Sequence, residues 1–185
     1  MRHVVFALMG LIFMGSVAQA LECPGVKLSR GDPEFQEIRS VYARIHQAVL
    51  RNDLAFVKGA CSSGAEPLPI HWTESALDLV PATYNLLFIV SVPSQNMAWM
   101  RMKANVRIKS PYRVNQTVRN EGDTVAVEGE AYFIKENGAW KIADGTWNDP
   151  AGMGTVFCVR DNRIYHIRSQ LRSGMCDSLL MQLSY

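Results

Sequence analysis

From residue 100 to 109 apolar and polar side chains alternate without a break. Met100, Met102, Ala104, Val106 and Ile108 fall on one side, and Arg101, Lys103, Asn105, Arg107 and Lys109 on the other. A period of two predicts a half-buried strand and fits no helix. Earlier in the chain the period differs. Phe35, Ile38, Tyr42, Ile45 and Val49 recur every three or four residues, with Glu34, Glu37, Arg39 and Arg44 off that stripe. This is the buried face of an amphipathic helix. Asp32 is placed to cap it, and Pro33 suits its first turn. Asn52-Asp53 breaks this helix and opens a shorter one over residues 54–61. Residues 62–69, rich in Ser, Gly and Pro, form a loop, and Thr73 caps a third short helix that ends near Pro81.

After Tyr84 the pattern turns to strands. Residues 86–92 form an apolar run rich in Phe, Ile and Val, and residues 94–96 turn the chain into the alternating strand. Further strands are predicted over 112–119, 124–134 and 139–147. Asn137-Gly138 joins the last two as a two-residue turn, because both central positions of that turn need positive φ. A turn at Glu121-Gly122 would set Val118 opposite Val125, Val114 opposite Gly129 and Arg113 opposite Glu130. The Asn137-Gly138 turn would set Phe133 opposite Ile142 and Ala131 opposite Asp144. Strict alternation then puts Val125, Val127, Ala131, Phe133, Trp140, Ile142 and Asp144 on one face. The tail offers a further hairpin, 155–160 with 163–168, and a short helix or strand over 176–183. Helices first and antiparallel strands after predict an α+β domain with its helices on one face of the sheet.

Three compositional features change the picture. Residues 1–20 combine Arg2 and His3, an apolar run over 4–15 and the small residues Ala18 and Ala20. That is a secretory leader, cleaved near Ala20, and the apolar run is short for a membrane span. No other segment is apolar enough to cross a bilayer. A single domain over 21–185 remains, with residues 149–185 as an extension, and the location is periplasmic or secreted. The formal charge is only +2 before Arg2 is removed, so bulk charge points to no nucleic acid. The four cysteines, Cys23, Cys61, Cys158 and Cys176, are an even set in an exported chain, which favours disulfides. Of three pairings, Cys23–Cys61 with Cys158–Cys176 is expected, since each bond joins neighbouring elements. Each loop closure would contribute roughly 3–4 kcal/mol in a chain-entropy description.

The stretches VYARIHQAVLRNDLAFVKGACS and DTVAVEGEAYFIKENGAWKIAD together resemble the nuclear transport factor 2-like superfamily, over roughly residues 34–147. Ketosteroid isomerase, scytalone dehydratase and polyketide cyclases belong to it. The resemblance implies a strongly curved antiparallel sheet wrapped round the long helix, a cystatin-like cone with a cavity. It fixes no activity, because the same fold serves many functions. No position matches the Tyr-plus-acid constellation of the isomerases, and the Cys-bearing tail after Asn148 departs from the family pattern.

Candidate chemistry follows from these placements. Asp144 on an apolar face would be desolvated and suited to proton transfer, with Tyr42 or His46, one helical turn apart, as hydrogen-bond donor. The bland alternative has Asp144 binding backbone N–H groups at the strand end. His71 and Trp72 could close over a pocket, or could simply pack a helix start. Trp140, Phe133, Met100 and Met102 would either line the cavity or fill it. Arg101, Lys103, Arg107, Lys109, Arg113 and Arg119 make the sharpest charge pattern. Pairing the strands through Lys109-Ser110-Pro111 would oppose Lys103 to Thr117 and Arg107 to Arg113. Like charges in opposition destabilise a sheet, which suggests an anionic partner or neutralisation by Glu128 and Glu130. Four scattered histidines without ligand spacing give no metal site, and no cofactor or phosphate-loop motif is present.

The expected function is an exported, non-catalytic binding or accessory domain. Its cavity or basic sheet face would hold an envelope protein or a small hydrophobic ligand. One alternative is a small cavity enzyme of isomerase, dehydratase or cyclase type with Asp144 as general base. Another is a structural subunit of an envelope assembly, dimerising through the outer sheet face.

Overall fold

The computed structural model describes residues 25–66, 79–152 and 154–160. Among them are two α-helices, α1 (Pro33–Leu50) and α2 (Leu54–Ala60). All five residues of the predicted stripe on α1 are buried, and His46 and Ala48 join them. Pro33 sits in the first turn as its fixed φ allows. Asp32 does not cap the helix. Its carboxylate accepts from the Ser29 N–H at 2.6 Å and organises the incoming turn instead. Asn52, with φ 56°, reverses the chain, and Asp53 caps α2 by accepting from the Phe56 N–H at 3.1 Å.

The strands are β1 (Val26–Lys27), β2 (Ala65–Glu66), β3 (Asn85–Val92), β4 (Met97–Arg107), β5 (Tyr112–Val114), β6 (Thr117–Arg119), β7 (Thr124–Glu136), β8 (Ala139–Asn148), β9 (Gly154–Val156) and β10 (Val159–Arg160). Six of them form one antiparallel sheet in the order β1-β3-β4-β7-β8-β9. The predicted mixed α+β class, as a single domain, is therefore observed. No helix among the described residues is long and apolar enough to cross a membrane.

The pairing differs from expectation at residues 112–119. Asn115 adopts φ 54° and folds this stretch on itself, so β5 pairs with β6 and Arg113 lies opposite Val118. β7 pairs instead with β4, which sets Arg101 opposite Glu130, Lys103 opposite Glu128 and Arg107 opposite Thr124. Acidic residues thus face the basic ones, and the like-charge opposition does not arise. The alternation along β4 survives intact: Ala98, Met100, Met102 and Val106 belong to the core under α1.

A second departure lies in β8. Phe133 is opposite Ile142 as expected, but Tyr132 is opposite Asp144, so Ala143 is an extra residue on β8. Such a bulge shifts the side-chain phase by one. Beyond it Trp147 enters the core, and Asp144 shares the other face with Tyr132. That other face is also buried at one end, where Phe88, Val90, Val92, Met97, Trp99 and Tyr132 cluster.

The outer edge of β8 is covered piece by piece. The Ser62 N–H donates to the Ile142 carbonyl, the Phe157 N–H to the Gly145 carbonyl, and β9 follows. β2 pairs with β10 beside them, and a Cys61–Cys158 disulfide joins the two covering segments, with Cα atoms 6.7 Å apart. Shielding an edge in this way removes a template for intermolecular pairing. This bond overturns both expected pairings, Cys23–Cys61 and Cys158–Cys176. Elements that are neighbours in space here lie 97 residues apart in sequence. Cys23 and Cys176, the leader, His71, Trp72, residues 73–78 of the expected third helix and everything after residue 160 lie outside the described residues; at the end of that helix Leu79 and Val80 form a turn and a bend.

Candidate functional site

Beneath α1, four rings meet. Tyr42 and His46 project one turn apart, and Tyr84 stands edge-on to both, with centroids 5.4 and 5.0 Å away. The bulge in β8 delivers Trp147, whose Nε1–H donates to the Tyr42 hydroxyl at 3.0 Å. Gly129 leaves room for that indole, since a Cβ there would come within 2.9 Å of it. Burial pushes the Tyr42 hydroxyl well above its ordinary pKa. Burial also lowers His46, while a hydrogen bond to the Pro81 backbone partly opposes this. Proline offers only its carbonyl there, so His46 donates, and its buried Nε2 has no hydrogen-bond partner among the described residues. The imidazole is held neutral.

Asp144 does not join these residues. It is only 2 % exposed, but on the opposite face of the sheet, beside Tyr132. The expected trio of Asp144, Tyr42 and His46 is therefore split by the sheet itself. Met100, Met102, Phe133 and Trp140 are all buried in the core with α1.

The basic residues scatter into separate roles. Arg101 and Lys103 both reach Glu128, at 2.9 and 3.4 Å, and hold its carboxyl below the usual range against the opposing effect of burial. Arg119 points the other way, into a clasp that the sequence reading missed. Its Nε and Nη2 donate to the two oxygens of buried Asp149, both at 2.8 Å. The Tyr112 hydroxyl and the Ala151 N–H donate to the same carboxylate, at 2.8 and 2.9 Å. The guanidinium first, and these other donors, bring Asp149 down to about 2. Tyr112 rises to about 12, through burial and then through Asp149. The clasp ties the β5–β6 hairpin to the end of β8. Arg107 and Arg113 are exposed, and Arg107 lies near Gly122. Of the six cations, Arg101, Lys103 and Arg119 are thus paired with carboxylates.

Among the clefts on the described surface, three bear on these residues. One of about 540 Å³ runs between α1, α2 and the β7–β8 hairpin, with Val41, Ile45, Phe56, Ala60 and Trp140 in its walls. Arg44 and Lys141 flank it, and Glu37, also on its wall, meets Lys135 at 3.7 Å. A second, of about 370 Å³, lies on the opposite flank of α1 by Arg30, Arg39 and Tyr84. The third, about 680 Å³, lies by Lys103, Glu128 and Pro150. Met100, Met102 and Phe133 line none of them. No family model, curated protein or solved structure matches this chain.

Proposed function

We propose that the protein is an exported, non-catalytic binding domain that holds an apolar, acid-bearing segment of a partner protein in the groove between α1, α2 and the β7–β8 hairpin. The observation that carries this is the groove's composition. Its walls are mainly apolar, and Leu50, Leu54 and Phe56 stand 41–47 % exposed at the adjoining helix corner. Large apolar side chains gathered at one surface favour a docking role. Arg44 on the wall has no ion-pair partner among the described residues, while Glu37 is compensated by Lys135. The unmet charge is positive, which selects an acidic partner.

The disulfide supports an oxidising compartment, and the leader supports export. The nuclear transport factor 2-like resemblance, with its cone-shaped sheet, belongs to the same reading; α1 lying on one face of an antiparallel sheet supports it. Separation of Asp144 from Tyr42 and His46 favours binding over catalysis. A photo-crosslinking residue at position 56, in the native cell envelope, tests the groove against the same probe at exposed position 118. A discrete adduct from 56 alone, lost on Arg44→Glu, is expected. Equal adducts from both positions, none from either, or one indifferent to Arg44→Glu would overturn the proposal.

A further inference from the structure

The cleft on the other flank of α1 has a different character. Arg30, Gln36, Arg39, Tyr84 and Asn85 supply its polar groups, and no carboxylate lines it among the described residues. Neither Arg30 nor Arg39 has an ion-pair partner among the described residues. The nearby acids are engaged elsewhere: Asp32 accepts from the Ser29 N–H, and Glu34 from the Ser91 hydroxyl at 3.2 Å. Two cationic side chains on the wall of one cleft, both exposed, suit an anionic ligand.

The cleft is built rather than incidental. The Gln36 side chain donates to the Arg30 carbonyl at 2.6 Å, which pins that residue's backbone to α1. The Leu28 N–H donates to the Ile89 carbonyl and ties the same loop to the sheet. Arg39 follows Gln36 by three residues and so faces the same side of the helix. It lies close enough to Tyr84 to oppose the effect of burial on that phenol, whose pKa still ends above its ordinary value. The Tyr84 hydroxyl therefore keeps its proton at neutral pH and remains a donor. Its ring is fixed from behind by Tyr42 and His46. Phe35, Ala43 and Leu86 complete the lining with apolar surface.

We infer that this cleft binds a small amphipathic anion, its acidic head between Arg30 and Arg39 and its apolar body against Phe35 and Leu86. Guanidinium forks suit both carboxylate and phosphate, and the remaining donors, Tyr84 and Asn85, discriminate neither. The site is separate from the groove across α1 and does not depend on it.

Calorimetry on the whole mature protein with octanoate, octyl phosphate and octanol tests this. Both anions are expected to bind, octanol far more weakly, and the tighter anion identifies the head group. Loss of either fork should weaken binding about tenfold or more, as charge-assisted hydrogen bonds do, so Arg30→Ala and Arg39→Ala are the diagnostic variants. Arg39→Lys should restore part of the affinity. Arg113→Ala, on the distant β5–β6 hairpin, should change nothing. Arg39 is exposed, so circular dichroism should show its variants folded. Octanol binding as tightly as the anions, binding indifferent to Arg39→Ala, or no binding by either anion would overturn the inference.

Discussion

At the end of β8, Trp147 turns inward beneath α1, and two residues later Asp149 turns to the β5–β6 hairpin. Around Trp147 the groups are rings, with one hydrogen bond to Tyr42, and burial sets the protonation of Tyr42 and His46. Around Asp149, one carboxylate receives four hydrogen bonds, two of them from a guanidinium. A tyrosine is raised in both places. Exclusion of water raises Tyr42, whereas Tyr112 is raised by burial reinforced by a fixed negative neighbour. The first region is held by volume and the second by charge, so substitutions and pH should separate them.

The largest expected effect comes from removing volume. Trp147→Ala should lower stability by about 3–5 kcal/mol, read from urea denaturation, because a buried aromatic leaves a cavity. Trp147→Phe sharpens the test. It keeps most of the volume but leaves the Tyr42 hydroxyl without its donor, a cost of about 1–3 kcal/mol. If Phe proves as damaging as Ala, the hydrogen bond governs this region and the contrast with the clasp fails.

The clasp should respond to charge instead. Asp149 is held at about 2 against an ordinary 3.8. Its contribution is therefore fully present above pH 3.8 and is lost as pH falls through the folded value. The shift corresponds to about 2 kcal/mol at neutral pH. Asp149→Asn, nearly equal in volume, should forfeit at least that much and lack this group's share of the stability lost between those two pH values. Tyr112 acts at the other limit: its folded pKa is raised, so its contribution holds below 10 and fades as pH climbs toward about 12. A wild-type curve without the acid step would mean that Arg119 does not hold Asp149 ionised.

This contrast also separates what the sequence carried from what it did not. The three-four spacing on α1 and the alternation of β4 were legible because one face of each is buried continuously. The partner of β7 was not, since alternation fixes a strand's face and not its neighbour. Asn115 was the missed signal: like Asn137 it takes positive φ and folds a hairpin, in the middle of what read as one strand. The split of Asp144 from Tyr42 and His46 had a signal too. Trp140 and Ile142 share a phase that Trp147 does not, so a phase change had to lie between them, and the bulge at Ala143 supplies it. The Asp149 clasp and the Cys61–Cys158 bond join residues distant in sequence, and no local pattern encodes such a choice.

The smallest effect tests the ring region by pH. His46 is neutral, donates to Pro81, and is faced by Tyr42, Tyr84 and Trp147, with Arg39 beyond Tyr84 and no carboxylate in the cluster among the described residues. Its folded pKa lies below the ordinary 6.5, so the unfolded chain takes up the proton first. Stability should then fall as pH drops below 6.5, with a slope from this group of at most about 1.4 kcal/mol per pH unit. His46→Gln keeps an amide donor for Pro81 and does not titrate. Subtracting its stability curve from that of the wild type isolates this residue from every other histidine in the chain. A difference that grows steadily against the wild type on acidification places His46 in a region ruled by exclusion of water. Parallel curves, or a wild type that gains on acidification, would mean that the imidazole carries charge in the folded protein. The region under α1 would then rest on charge, as the clasp does.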